Sequence, residues 1–243
     1  MICKTSSIPE PDFENGEVLL INKAVDWTSF DVVNSLKIFL RFEFGLKKIK
    51  IGHAGTLDPK ASGLMIVCTG KQTRFIENYQ AQHKEYTGSF TLGLTTPSWD
   101  TETEPDKEFS ISHITPAMIQ QAAKQFTGEM LQIPPVFSAV KINGKRAYKY
   151  ARDRQEVKMR KRQVEIFEFE IVNIEMPLVF FRVKCSKGTY IRSLAYDFGE
   201  FLDSGAYLSS LQRTAIGSFR VEDALTIPEF KEIYGKTPKK ASQ

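Results

Sequence analysis

The sequence predicts an α+β domain: a largely antiparallel mixed sheet flanked by helices, with a basic arm inserted late in the chain. Three observations carry that expectation. RQVEIFEFEIVNIEM (162–176) alternates charged and apolar residues at period two, and LVFFRVKCSKG (178–188) follows as its antiparallel partner. Three other stretches, beginning at Thr28, Ile114 and Gly188, space their apolar residues at helical period. Strands and helices do not alternate as regular βαβ units, which argues against a parallel sheet.

Taken in order, residues 1–16 read as a polar lead and EVLLINK (17–23) as a strand. Thr28 and Asp31 have capping-box spacing at the head of a helix that Gly45 closes, with Val32, Val33, Leu36, Phe39 and Leu40 on its apolar face. LMIVCTG (64–70) and KEYTGSFTLG (84–93) read as strands, followed by an acidic loop from Thr95 to Lys107. The second helix has Thr115 as cap, Pro116 in its first turn and Gly128 as its stop. QIPPVFSAVKINGKRAYKYARDR (132–154) combines paired prolines, an Asn-Gly turn and dense positive charge, the marks of an excursion from the core. The third helix buries Ile191, Leu194, Ala195, Phe198 and Leu202, and YLSSLQRTAIGSF (207–219) ends the core as a strand. One domain is therefore expected over 17–230, its basic insertion at about 134–162 and a short basic tail at 231–243, of which KTPKKASQ is expected to be disordered.

A hydrophobic fraction of 42% places the chain among globular proteins rather than disordered ones. No apolar run approaches the roughly 20 residues of a membrane span, and the start lacks a secretory segment, so the cytoplasm is expected and no membrane partner. Cys3, Cys68 and Cys185 are odd in number and far apart; His53, His83 and His113 form no ligand spacing, and no metal is expected. The net charge of +4 hides a strong asymmetry: Lys141–Arg162 carries ten basic residues against Asp153 and Glu156, a local +8 that leaves −4 for the rest. Tyr148 and Tyr150 lie among those charges, and a polyanion is the partner such a segment suits.

The most chemically loaded stretch is IGHAGTLDPKASGLMIVCTG (51–70), a turn of glycines, hydroxyls, His53 and Asp58 that runs straight into a buried strand. Asp58 before Pro59 also suits a plain turn or cap, and His53, Tyr86 and Arg192 each admit structural readings. A phosphate loop is excluded, because the Gly-rich pattern with its Lys-Ser/Thr end is absent.

GHAGTLDPKASGLMIVCTGKQTRF, KEYTGSFTLG, QIPPVFSAVKINGKRAYKYAR, KGTYIRSLAYDFG and LQRTAIGSF occur in this order from Val18 to about Glu229. Together they resemble the TruB family of tRNA pseudouridine synthases, in a short form without the C-terminal RNA-binding domain that many relatives carry. The resemblance implies the pseudouridine synthase fold with a thumb-like basic insertion, and isomerisation of a T-loop uridine of tRNA. It places the catalytic carboxylate at Asp58, with Arg192 and Tyr86 as further catalytic residues. His53, Tyr190, Lys23 and Asp100 fall at substrate-binding positions, and Lys145, Arg146 and Lys149 in the thumb. The family's first motif, Lys-Pro-x-Gly-x-Thr-Ser, reads KAVDWTS here, and Asp26 in the Gly position tolerates a left-handed backbone.

Pseudouridine formation only rearranges atoms, so no cofactor is expected. A flipped base must be received by an aromatic surface, and a carboxylate must reach C1′ or the base. The expected partner is the T arm of tRNA, bound by a monomer without an obligate protein partner. The alternatives are a guide-RNA-dependent pseudouridine synthase subunit, or an RNA-binding protein without turnover; the intact Asp58, Tyr86 and Arg192 set argues for catalysis.

Overall fold

The computed structural model describes residues 1–6, 10–138, 140–142, 144–153, 155 and 157–235. Asn143 of the expected turn, Arg154 of the arm and KTPKKASQ lie outside the described residues. The chain divides into two compact units, one formed by Met1–Gln82 with the chain from Gln212 onward, the other by His83–Leu211.

The first unit opens with β1 (Val18–Lys23), α1 (Ser29–Glu43), β2 (Ile51–His53), β3 (Ala61–Thr69) and α2 (Ile76–Ala81). The second contains β4 (Lys84–Leu92), the short pair β5 (Leu94–Thr95) and β6 (Lys107–Glu108), α3 (Pro116–Gln125) and β7 (Gly128–Gln132). The hairpin β8 (Lys141–Ile142) and β9 (Lys145–Arg146), α4 (Ala147–Arg152), β10 (Arg162–Glu175), β11 (Leu178–Cys185) and α5 (Ile191–Phe201) complete it. The unit boundary falls inside β12 (Ala206–Ile216), after which β13 (Phe219–Arg220) and α6 (Ile227–Tyr234) return to the first unit.

In the first unit β3 is the spine. It is buried at almost every position, so it reads as a continuous apolar run rather than an alternating one. β1 pairs antiparallel with it from Val18↔Cys68 to Lys23↔Gly63, and β2 pairs through His53↔Val67. Val18, Leu20, Leu64, Ile66, Cys68 and Ile216 form one core cluster. Helix α1 starts as the sequence predicts: Thr28 Oγ1 accepts from the Asp31 amide, while Asp31 Oδ2 accepts from the Thr28 amide at 2.8 Å. Gly63 has φ +108° and lies against the Arg213 backbone, where any β-carbon would collide. That close approach fixes where β3 begins, and with it the end of the preceding turn.

The second unit orders its strands β12-β4-β11-β10-β7. Its core is aromatic: Phe90 of β4 stacks on Phe181 of β11 at 4.3 Å, and Phe169 of β10 and Phe198 of α5 tilt against them. β10 pairs with β11 as expected, through Phe169↔Val183 and Glu170↔Arg182, but irregularities between Ile166 and Glu168 and between Ile171 and Asn173 interrupt its alternation and leave Phe167 and Val172 exposed. Among the described residues no helix is long and apolar enough to cross a membrane.

Several expectations are corrected. The lead is part of the core, because Ile2 and Phe13 are fully buried and the Ile2 amide donates to Val18 O at 2.7 Å. Helix α3 ends at Gln125, and Gly128, at φ +104°, opens strand β7 instead of stopping the helix. Helix α6 runs through Lys231 to Tyr234 across the boundary drawn at 230, started by a second capping box, Thr226 with Glu229.

Asp197 of α5 is pushed up to about 6, first by desolvation and then by the Glu200 charge, with Lys161 opposing. A carboxyl that holds its proton more tightly when folded favours folding below the unfolded value near 4, and that contribution is lost as pH rises through about 6. Asp197→Asn should therefore raise the Tm at pH 7 by a few degrees, equivalent to about 1–2 kcal/mol after allowance for partial solvent screening. Thermal melts of the two proteins should converge below about pH 4, and a constant offset from pH 3 to 8 would refute the assignment.

Candidate active site

The residues singled out by sequence fall in both units, and each group is built separately. In the first unit Asp58 lies half-buried in the turn between β2 and β3. Three buried side chains fix the peptide groups of that turn. Ser29, the first residue of α1, accepts from the Leu57 amide at 2.8 Å and donates to Leu57 O at 3.0 Å. Lys23, 1% exposed, donates from Nζ to Ala24 O at 2.8 Å, Trp27 O at 2.6 Å and Pro59 O at 3.4 Å. Arg213, also 1% exposed, donates from Nε to Leu64 O at 2.7 Å, from Nη2 to Gly55 O at 3.2 Å and from Nη1 to Thr56 O at 3.5 Å. The residues on either side of Asp58 are thus held independently, and Gly55 adopts φ +110°, which a side chain would strain.

The altered first motif keeps its turn. Asp26 sits at φ +66°, its amide donates to Pro59 O at 2.8 Å and its carboxylate pairs with Lys60 Nζ at 2.8 Å.

Lys23 was expected near the RNA backbone. Its ammonium instead points inward onto three carbonyls, because burial there is tolerable only with every proton donated. Burial pushes it down to about 8, and the nearby Asp58 charge works against that shift. His53 is likewise held below its ordinary value by desolvation, which the Arg213 charge reinforces and the nearby Gly55 backbone opposes. It therefore presents a neutral imidazole at physiological pH, suited to stacking rather than to pairing with phosphate.

In the second unit Tyr86 lies on β4, opposite Val183 and 9% exposed, and Tyr190 is the half-buried N-cap residue of α5. Arg192, in the first turn of that helix, and Asp100 are each 3% exposed. Arg192 Nη1 donates to Ser98 O at 3.2 Å, and Nε lies 3.4 Å from Asp100 Oδ2. Asp100 Oδ1 accepts from Ser98 Oγ at 2.6 Å and from the Glu102 amide at 2.9 Å. Asp100, expected among substrate contacts, is thus committed to organising its own loop and Arg192. The loop is further fixed by Trp99, at φ +63°, which stacks on Tyr196 of α5 at 4.6 Å.

The arm forms the hairpin β8-β9 capped by α4. Arg146 and Lys149 are exposed, as RNA contacts require. Lys145 pairs with Asp153 Oδ2 at 2.6 Å and lies 4.6 Å from the Tyr150 ring centroid, an ion pair open to solvent at both ends.

Sequence reasoning missed Ser29 and Arg213. Both stood in quoted motifs, TSF and LQRTAIG, but a hydroxyl at a helix start and an arginine in an alternating strand read as local or solvent-facing.

A family model described as TruB family pseudouridylate synthase (N terminal domain) matches residues 41–191. The tRNA pseudouridine synthase B of Flavobacterium johnsoniae is 52% identical over 222 residues, 91% of this chain and 97% of that protein. That of Phocaeicola vulgatus is 49% identical over 221 residues, 91% of this chain and 94% of that one. Among solved structures, a Cbf5-Nop10-Gar1 complex matches with a TM-score of 0.68 and 30% identity over 95% of this chain. An archaeal box H/ACA sRNP Nop10-Cbf5 complex matches at 0.66 and 27% over 91%. The chain spans only 59% and 54% of those two solved chains. An α+β scaffold that carries this aspartate turn and is matched by that model is a pseudouridine synthase. The chain belongs to the TruB family.

Lys23→Met keeps the length of the side chain and removes its donors, taking a partner from the Ala24 and Trp27 carbonyls, while Pro59 O keeps the Asp26 amide. Each such loss costs about 1–3 kcal/mol, and relief of the buried charge offsets part of it. A Tm lower by roughly 3–8 °C in thermal denaturation is expected, and an unchanged Tm would show that those hydrogen bonds carry no net stability.

Proposed function

We propose that this protein isomerises a uridine in the T loop of tRNA to pseudouridine, with Asp58 as the catalytic carboxylate. The observation that carries the reading is the Asp58 turn: Ser29, Lys23 and Arg213 spend buried hydrogen bonds on the peptide groups around one carboxylate. Such investment in backbone geometry is what a preorganised catalytic group requires. The names of the relatives about 50% identical to this chain support tRNA as the substrate.

In the proposed reaction the bond from N1 of uracil to C1′ of ribose breaks, the base turns, and C5 bonds to C1′. C5 then releases its proton and N1 gains one, so product and substrate are isomers and no second substrate is consumed. Asp58 acts at the sugar or the base and takes part in proton transfer. The target uridine must leave its stack, which costs a few kcal/mol, and Tyr86 and Tyr190 offer aromatic surface to the extruded base. His53, neutral, fills the gap left among the loop bases. Arg192, paired with Asp100, is the buried cation that the family motif assigns to catalysis. Arg146 and Lys149 of the arm contact phosphates.

The direct test is incubation with unmodified tRNA transcript, followed by chemical labelling and primer extension, which should stop at a single T-loop uridine. Asp58→Ala should bind the transcript within about threefold of wild type, since phosphate contacts supply most of the affinity, while product disappears. Turnover within tenfold of wild type would sink the assignment. In the arm, Arg146→Ala and Lys149→Ala together should reduce the slope of log affinity against log salt by about two, one for each phosphate contact. An unchanged slope would return those residues to the role of a solvated surface.

A further inference from the structure

Two polar residues outside the proposed chemistry converge on Tyr190. Gln132, the last residue of β7, is 0% exposed, and its side-chain amide engages both peptide groups of Tyr190. Oε1 accepts from the Tyr190 amide at 2.7 Å, and Nε2 donates to Tyr190 O at 3.0 Å. This two-point clamp satisfies the N-cap amide at the head of α5, where Tyr190 itself makes no side-chain cap hydrogen bond. Arg162, the first residue of β10, is the direct cross-strand partner of Gln132. Its guanidinium lies 5.2 Å from the Tyr190 ring centroid and donates to Gly188 O at 3.5 Å, which places it over the ring and on the turn that leads into α5. A third tie runs to the same strand end, where Ser193 Oγ donates to Ile133 O at 2.7 Å.

We propose that Gln132 and Arg162 are positioning residues: as a cross-strand pair they set the backbone and ring of Tyr190, and through the start of α5 they aim Arg192. This rests on reading Tyr190 and Arg192 as residues of the uridine site. The geometry gives the pair leverage. Arg192 follows Tyr190 by two positions, and successive residues on a helix are turned by about 100°, so a small rotation at the N-cap swings the guanidinium away from Ser98 and Asp100. A buried primary amide is costly unless both of its ends are bonded, and here both ends are spent on one residue. Arg162 acts on the ring as Gln132 acts on the backbone: a cation over a tyrosine face favours one ring orientation.

Trp99 supplies a readout that does not depend on activity, because it stacks on Tyr196 of α5 and reports any shift of that helix. The sequence contains one other tryptophan, Trp27, so the measurements are made in a Trp27→Phe background. Gln132→Met, Arg162→Gln and Arg162→Lys would each be assayed for kcat and KM on unmodified tRNA transcript at fixed salt, and for Trp99 emission without RNA. Gln132→Met should lower kcat about ten- to a hundredfold with KM within about threefold and shift the Trp99 emission, as expected for a displacement near 1 Å. Arg162→Gln should lower kcat about tenfold in the same manner, and Arg162→Lys should recover most of it, since an ammonium still sits over the ring.

Values of kcat within twofold of wild type in both Gln132→Met and Arg162→Gln would overturn the proposal. So would an Arg162→Gln variant with raised KM, unchanged kcat and a salt slope reduced by about one, the signature of a phosphate contact. If Gln132→Met does not fold, Arg162→Gln, altered at a half-buried position, decides alone. A wild-type protein that makes no pseudouridine overturns the functional reading instead, and the Trp99 emission of the variants still decides the positioning.

Discussion

The chemistry of the first unit depends on one arrangement: a buried guanidinium whose hydrogen bonds go to backbone carbonyls. Arg213 binds Leu64, Gly55 and Thr56 through their oxygens, so it ties the start of β3 to the turn that precedes Asp58. A buried cation is costly, and the usual remedy is a carboxylate. Satisfying it with peptide oxygens converts the cost of burial into backbone geometry, because each carbonyl must stay where its donor is. Gly63 is the complement of that choice: its missing side chain lets the Arg213 backbone come close enough for the guanidinium to reach around.

Lys23 repeats the device with different chemistry. An ammonium has three protons, and three carbonyls take them. Unlike the guanidinium it is pushed toward deprotonation by burial, and the charge of Asp58 is part of what keeps it protonated. The carboxylate assigned to catalysis thereby stabilises the side chain that holds its own turn. In the second unit Arg192 follows the more familiar pattern, sharing its burial with Asp100, and its direction is then inherited from α5.

What was legible in the sequence follows from this division. Local devices were readable: the Thr28–Asp31 capping box, the antiparallel pair β10 and β11, and the apolar face of α5 are each written in a few neighbouring residues. The family motifs brought Asp58, Tyr86 and Arg192 into view. The buried polar residues were not readable, because nothing near Arg213 in LQRT or Gln132 in QIPP separates a solvated side chain from one whose partners lie far off in the chain. The same limit misplaced Lys23 and Asp100, charged residues assigned to RNA that the fold turns inward. It also hid β7, whose opening glycine reads as the end of a helix, and α6, which starts where the core was taken to stop.

On the proposed function the positive charge of the chain does two separate jobs, and ionic strength acts on only one of them. Arg146 and Lys149 face solvent, where counterions at physiological salt screen beyond about 8 Å and compete directly for phosphate. Lys23, Arg192 and Arg213 are shielded by protein, and their partners are fixed groups within hydrogen-bond or ion-pair distance. On the proposed function, salt that would release RNA from the arm leaves those interior contacts unchanged, so capture of the substrate and preorganisation of the groups acting on it would fall to physically distinct sets of cations. On that reading a charge added to the arm acts on affinity, whereas an interior cation replaced by a neutral residue alters geometry before it alters charge.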